Sequence, residues 1–299
     1  MRILLTGVTG QVGGALARRL GEFGMLLAAD RAILDMSKPG AIAQRLDDLK
    51  PDVIVNPAAY TAVDRAEDEP DLAYLVNAAA PAALASWAAP RRVPLVHFST
   101  DYVFDGSGDR PWREDDPVAP LNAYGASKLA GERAVRAEGG CHLIIRTSWV
   151  YTAAGMSFLR TITRLAKERE ELRIVSDQIG SPISAAAIAG ALEAIFRAHL
   201  SDLAAGFALA DSLVHLSATG ETSWHGFAEA IVTGLKRRGV PVVTRRVVPI
   251  ASKDYPTKAV RPLNSRLDLQ RLCRAFGIVP QMWNASLEAE LDRLAGLHP

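Results

Sequence analysis

The stretch RILLTGVTGQVGG (residues 2–14) constrains this chain more than any other. An apolar run meets three glycines, Gly7, Gly10 and Gly13, spaced three apart, and the helical pattern QVGGALARRLGEF follows at once. Glycine permits a tight turn, lets the backbone approach a pyrophosphate, and lets a helix pack closely on a strand. The helix N-terminus then offers free amide donors and partial positive charge to phosphates. The spacing is GxxGxxG rather than GxGxxG. Its position after a strand and before a helix is what makes it a dinucleotide signal.

Further apolar runs recur at MLLAA (25–29), DVIVN (52–56), VPLVHFS (93–99) and CHLIIRTS (141–148), separated by stretches of helical period. Continuous apolar strands alternating with helices predict an α/β fold with a doubly wound parallel sheet of the Rossmann type, covered on both faces. After Trp149 the rhythm changes. The pattern predicts a helix at about 156–170, a short strand in LRIVSDQIGSP, an alanine-rich helix at about 184–199 and a strand over 207–218. An amphipathic helix capped by Thr222 or Ser223 follows, then a proline-rich tail with two short helices. The expected organisation is a dinucleotide-binding Rossmann domain of 1–149 plus about 184–220, and a smaller α/β substrate-binding lobe of about 150–183 plus 221–299, with a cleft between them.

Composition narrows the function. With 49% hydrophobic and 22% charged residues and a net charge of +1, the 299-residue chain gives no electrostatic ground for binding nucleic acid or a membrane surface. The two cysteines, Cys141 and Cys273, are far apart and in no CxxC pattern, which suits a reducing compartment. The N-terminus lacks a signal-peptide pattern, and LAYLVNAAAPAALASWAA from Leu72, interrupted by Asn77 and Pro81, reads as a buried helix rather than a span. A cytoplasmic protein is expected. The histidines at 97, 142, 199, 215, 225 and 298 have no ligand spacing, and the EDD run at 114–116 reads as a solvated loop or mobile lid. No metal site is expected.

Ligands of a parallel sheet bind at the carboxyl ends of its strands. The second strand ends at Asp30, placed to accept from ribose hydroxyls as in NAD sites, but Arg31 follows, suited to a 2′-phosphate. NADPH and NADH both stay open. The third strand ends NPAAYTAVD, where Ala58 and Ala59 admit a flat cofactor or serve tight packing. The fourth ends HFSTDYVFDG, where Thr100 is the candidate to donate to a substrate oxygen. In NAYGASKLAGE (122–132), Tyr124 and Lys128 share a helix face, their Cβ atoms about 5–6 Å apart. A free phenol, with a pKa of about 10, is a poor acid–base catalyst at neutral pH. A neighbouring ammonium favours the phenolate and lowers that value. A long lysine also reaches ribose hydroxyls. The pair therefore predicts a tuned proton donor beside a cofactor.

TGVTGQVGG, STDYVF and YGASK together resemble the extended short-chain dehydrogenase/reductase family. VIVNPAAYTAVDRAE, STDYVFDG, APLNAYGASKLAGE, RTSWVY, DQIGSP and RPLNSRLD narrow the resemblance to its sugar-nucleotide reductases, over residues 1 to about 270. The resemblance implies hydride transfer from NADPH or NADH to the C4 ketone of a small-molecule dTDP-sugar, dTDP-4-dehydro-β-L-rhamnose. Tyr124 would be the acid, Lys128 its tuner and ribose ligand, and Thr100 the polarising hydroxyl. It further implies Gly10, Gln11 and Val12 along the pyrophosphate, and Asp30, Asp35 and Met36 around the adenosine. Ala59, Tyr60 and Thr61 would line the cofactor's other side. Thr100, Asp101, Trp149, Arg261 and Asn264 would meet the substrate.

The chain departs from the family at Pro57, and GGALARRL and SAAAIAGALE lack the acids of metal-linked dimers. A monomer or a homodimer without metal is expected. Asp101 is followed by Tyr102, so the second carboxylate of the dehydratases is missing. Another dTDP-4-keto-deoxysugar reductase, a sugar-nucleotide epimerase and a non-catalytic NADP-binding regulatory subunit are the rival readings.

Overall fold

The computed structural model describes residues 1–297, so His298 lies outside the described residues. Its first half is built from β1 (Arg2–Leu5), α1 (Gln11–Leu20), β2 (Met25–Ala28), α2 (Ile42–Leu49) and β3 (Val53–Asn56). There follow α3 (Val63–Ala66), α4 (Pro70–Tyr74), α5 (Ala80–Ala88), β4 (Leu95–Thr100), α6 (Ala123–Ala137) and β5 (His142–Thr147). The second half contributes β6 (Val150–Tyr151), α7 (Phe158–Glu168), β7 (Glu171–Val175), β8 (Ile179–Gly180), β9 (Ile183–Ser184), α8 (Ala185–His199), α9 (Leu203–Ala208) and β10 (Leu213–His215). It closes with β11 (Thr222–Ser223), α10 (Trp224–Arg237), β12 (Arg246–Ile250), α11 (Gln270–Phe276) and α12 (Trp283–Leu294).

Six strands form one parallel sheet in the order β10-β5-β4-β3-β1-β2. Their side chains are apolar on both faces, so each face is covered. On one face Ile3, Leu5, Val55, Phe98 and Ile145 pack under α1 and α8. On the other Leu4, Ile54, Leu95 and Ile144 pack under α2, α5 and α6. The strand order reverses between β1 and β3, which opens a crevice at their carboxyl ends.

The apolar stretch from Pro70 to Arg91 is long enough to cross a bilayer, yet half of its most apolar window is buried against the sheet. It is not one regular helix. Leu75–Ala79 forms a π-turn between α4 and α5, in which Ala80 N donates to Leu75 O. Pro81 has no N–H to return to the carbonyl of Asn77, so the α-helical ladder breaks there.

A third apolar cluster gathers α7, α10 and α12 around Leu159, Ile162, Phe227, Ile231 and Leu291. Three two-stranded pairs stitch this region: β6 with β9, β7 with β12, and β8 with β11. The strand expected over 207–218 is shorter. Asp202 Oδ1 accepts from Ala205 N at 2.9 Å and caps α9, so Phe207 and Ala208 end a helix and only Leu213–His215 joins the sheet. Strand β12, inside the proline-rich tail, was not expected. It pairs in parallel with β7 across more than seventy residues, a partner that local pattern does not reveal.

Candidate active site

The glycine turn sits at the β1–β3 crevice. Gly7 has φ +57°, and a Cβ there would stand 2.9 Å from the backbone of Ala58 at the end of β3. A Cβ at Gly13 would lie 2.1 Å from Gly7 O, so only glycine lets α1 start so close to the turn. Helix α1 begins with no side-chain cap and no acidic residue in its first turn. Its first amides are therefore free for an anion. Beside them Gln11 Oε1 is buried without a partner. A close-approach turn and free backbone amides fit a dinucleotide pyrophosphate.

The other cofactor candidates divide. Asp30 Oδ1 accepts from Ala32 N at 2.9 Å and Ile33 N at 3.1 Å, so this carboxylate folds its own loop. Arg31 is exposed. Asp35 accepts from Ser37 N and from its hydroxyl, which hold its carboxyl below the usual range. Met36 is buried in the apolar core with Leu34 and Ile42. Val12 packs on the opposite core. Tyr60 is clamped by Asn77: Tyr60 N donates to Asn77 Oδ1 at 2.8 Å, and Asn77 Nδ2 donates to Tyr60 O at 3.0 Å. Ala59 is half-buried beside it and Thr61 is exposed.

At the end of β4, Thr100 and Asp101 are buried. The Thr100 hydroxyl donates to Asp101 Oδ1 at 3.1 Å and accepts from Tyr102 N at 3.2 Å. Burial pushes Asp101 up to about 7, against the lowering contacts of Ser265 and Thr100. Helix α6 starts where Asn122 Oδ1 accepts from Gly125 N at 2.8 Å, which aims Tyr124 at this corner. The Tyr124 ring keeps partial exposure, while its hydroxyl meets Thr100 inside the protein and burial pushes it up to about 12. Thr100, Asp101 and Tyr124 thus converge.

Lys128 is buried, and its Nζ donates to Phe98 O at 2.6 Å. Burial lowers it to about 8, with Glu132 opposing. Burial is the first cause of the raised Tyr124 phenol, with Thr100 opposing it and Asp101 adding to it. Two of the three Lys128 donors remain uncommitted to protein partners.

Two further candidates are engaged by protein. Arg261 forks onto Asp64 at 2.6 and 3.1 Å. Asn264 donates to Ser107 O and Arg110 O, accepts from Arg266, and its carbonyl takes the Trp112 indole. Trp149 stacks on Trp224 with ring centroids 3.6 Å apart. The EDD run is not a solvated loop throughout: Glu114 is buried, accepting from His215 N at 3.0 Å. Among the described residues no group of three His, Cys, Asp or Glu is disposed to hold a metal.

Sequence reasoning missed Asn77 as a site residue. It is fully buried in the π-turn, and besides clamping Tyr60 it donates to Ser127 Oγ at 3.0 Å on α6. Ser127 in turn donates to Tyr124 O at 2.8 Å. One side chain ties the loop after β3 to the tyrosine helix. Pro81 inside a helical run was the available signal.

A family model described as RmlD substrate binding domain matches residues 1–295. A dTDP-4-dehydrorhamnose reductase of Burkholderia thailandensis is 47% identical over 287 residues, 95% of each chain. The crystal structure of a dTDP-4-dehydrorhamnose reductase from Clostridium acetobutylicum superposes with a TM-score of 0.89 at 34% identity, covering 98% of this chain and 99% of that one. A Bacillus anthracis dTDP-4-dehydrorhamnose reductase in complex with NADP gives 0.86 at 33% identity, with the same coverage.

Proposed function

This chain belongs to the dTDP-4-dehydrorhamnose reductase family and is an NAD(P)H-dependent oxidoreductase; from that premise we propose that it reduces the C4 ketone of dTDP-4-dehydro-β-L-rhamnose to give dTDP-L-rhamnose, with Tyr124 as the proton donor. The observation that carries the residue assignment is the meeting of Tyr124 with Thr100 and Asp101 at the end of β4, beside the β1–β3 crevice.

When bound, the reduced nicotinamide supplies the hydride. The chain supplies placement and the proton. Gly7, Gly10, Gln11 and Val12 hold the pyrophosphate at the start of α1, and Ala58, Ala59, Tyr60 and Thr61 line the crevice opposite. Asp30, Arg31 and Asp35 lie on the adenosine side, with Met36 beneath them as packing. Tyr124, held up at about 12 by burial, is a full phenol at neutral pH and so arrives carrying its proton. It gives that proton to the developing alkoxide. A phenolate in this dry corner needs a donor. Thr100 has one hydroxyl proton, directed to Asp101 here, and rotation delivers it to Tyr124. Lys128, anchored by Phe98 O, keeps two donors for ribose hydroxyls. Asp101 and Trp149 border the sugar. Arg261 exchanges Asp64 for the substrate diphosphate, and Asn264 acts by holding the loop that carries it.

Two lobes, 1–149 with about 184–220 and the remainder, close on the nucleotide sugar as a monomer or homodimer. The free thiols Cys141 and Cys273 suit the cytoplasm.

The test is oxidation of NADPH and of NADH by purified protein with dTDP-4-dehydro-β-L-rhamnose. Turnover with formation of dTDP-L-rhamnose is expected, and the ratio of rates reports whether Asp30 or Arg31 governs the adenosine end. Protein that binds a nicotinamide but turns over with neither would overturn the assignment.

A further inference from the structure

Five non-glycine residues among those described have positive φ, and four of them, Lys50, Arg92, Asp211 and Ser212, are polar residues in turns or at a helix end. The fifth is Trp149, with φ +48° and 8% exposure. A left-handed backbone is an outlier for a bulky side chain and persists only where the surroundings over-determine it. The position is pointed: Trp149 lies two residues past Thr147, which pairs directly with Thr100 across β4 and β5.

Two contacts hold the indole. Trp224 stacks on it at 3.6 Å and 10° between planes. Gly180 lies against the same ring: a Cβ there would stand 2.6 Å from Trp149 Cε2 and 2.9 Å from Nε1. Strands β8 and β11 pair Gly180 with Thr222, two residues before Trp224, so one short ladder brings both contacts to the indole. Trp224 is itself steadied by Phe158 at 4.5 Å between centroids. The packing fixes the ring, yet the Trp149 indole N–H has no hydrogen-bond partner among the described residues and is not among the buried unpaired atoms. A rigid, wettable donor at the rim of a site is a ligand group in waiting.

We propose that Trp224 is a positioning residue for the sugar-nucleotide substrate: by stacking on Trp149 it holds that residue's left-handed backbone and presents the indole N–H and ring edge to the substrate's sugar. This rests on the reading of the site as a keto-sugar reductase. It gives Trp224 no contact with the reacting atoms. Loss of the stack should therefore act on substrate binding and leave the cofactor and the proton donor alone.

The experiment compares Trp224→Leu, Trp224→Phe and Gly180→Ala. Steady-state kinetics with dTDP-4-dehydro-β-L-rhamnose, NADPH titration and near-ultraviolet circular dichroism are the readouts. Trp224→Leu is expected to raise KM roughly 3- to 10-fold, with a smaller change in kcat, unchanged NADPH affinity and loss of the coupled-indole dichroism. Trp224→Phe, which keeps a stacking ring, recovers most of the KM while still losing the indole coupling. Gly180→Ala, acting on the same ring from another element, reproduces the KM effect. A folded Trp224→Leu with wild-type KM overturns the proposal, as does a lowered melting temperature in both Trp224 variants with no KM difference between them. Wild-type protein without turnover on this substrate overturns the functional reading and this inference together. Turnover in the wild type with no KM effect in the variants removes the inference alone.

Discussion

The two walls of the cleft are built by different means. The proposed cofactor wall is the carboxyl edge of a continuous ladder, with Gly7 after β1, Ala58 after β3 and Thr100 closing β4. Backbone pairing sets its spacing, and the side chains there need mostly to be small. The proposed substrate wall has, among the described residues, only two-stranded fragments. Its geometry comes from single side chains reaching far along the chain, such as Asn264 to Arg110, Arg261 to Asp64 and Trp149 to Trp224. A wall made of backbone resists substitution except where a Cβ intrudes. A wall made of side chains is vulnerable at each long-range contact, and it can be reshaped for a new sugar without disturbing the sheet.

Changes at the junction of the walls should have the largest effect. Tyr124→Phe removes the proton donor, and kcat should fall by about 10²- to 10⁴-fold with NADPH affinity intact; a near wild-type rate would remove Tyr124 from the mechanism. On the cofactor wall, Gly13→Ala forces a methyl against Gly7 O. It should cost about 1–3 kcal/mol of stability and weaken NADPH binding in a fluorescence titration, with product affinity unchanged. The mirror experiment is Asn264→Ala, which strips both ends of a saturated amide. A similar loss of about 1–3 kcal/mol is expected, seen as a lower denaturant midpoint and a higher sugar KM, but with normal NADPH binding. If both variants weakened both ligands equally, the two walls would not be separable.

The smallest effect concerns pH. Asp101 is raised by burial to about 7, above the ordinary carboxylate value near 4. The folded protein thus holds this proton more tightly than the unfolded chain does. Its contribution to stability is full at acid pH and is lost as pH rises towards 7. Asp101→Asn should flatten that slope, so that its melting temperature relative to wild type improves between pH 5 and pH 8. An unchanged difference would mean that Asp101 is already ionised in the resting protein.

The same contrast explains what could be read from sequence. The ladder writes itself locally: RILL, VIVN and LVHFST each lie in one apolar run, and glycine at 7 and 13 signals close backbone approach directly. Tyr124 and Lys128 are neighbours on one helix, so their shared face was legible. The acceptor of Lys128, Phe98 O, lies thirty residues away and did not follow from spacing. Strand β12 and the anchoring of Asn264 depend on partners more than seventy and one hundred and fifty residues distant. No local periodicity encodes such contacts. Glu114 looked solvated because its run is acidic, and only the fold brings His215 and Arg271 to it.

The π-turn at Leu75–Ala79 makes this segment sensitive to length rather than to composition. An α-helix advances by roughly 100° per residue. Deleting any one residue of the turn would swing Asn77 or its neighbours around the axis by that angle, and the helix would become more regular. Yet Asn77 would release Tyr60 and Ser127 together, uncoupling the cofactor loop from the tyrosine helix. In a lineage of such chains this stretch should drift in sequence around Asn77 but stay closed to single-residue gaps.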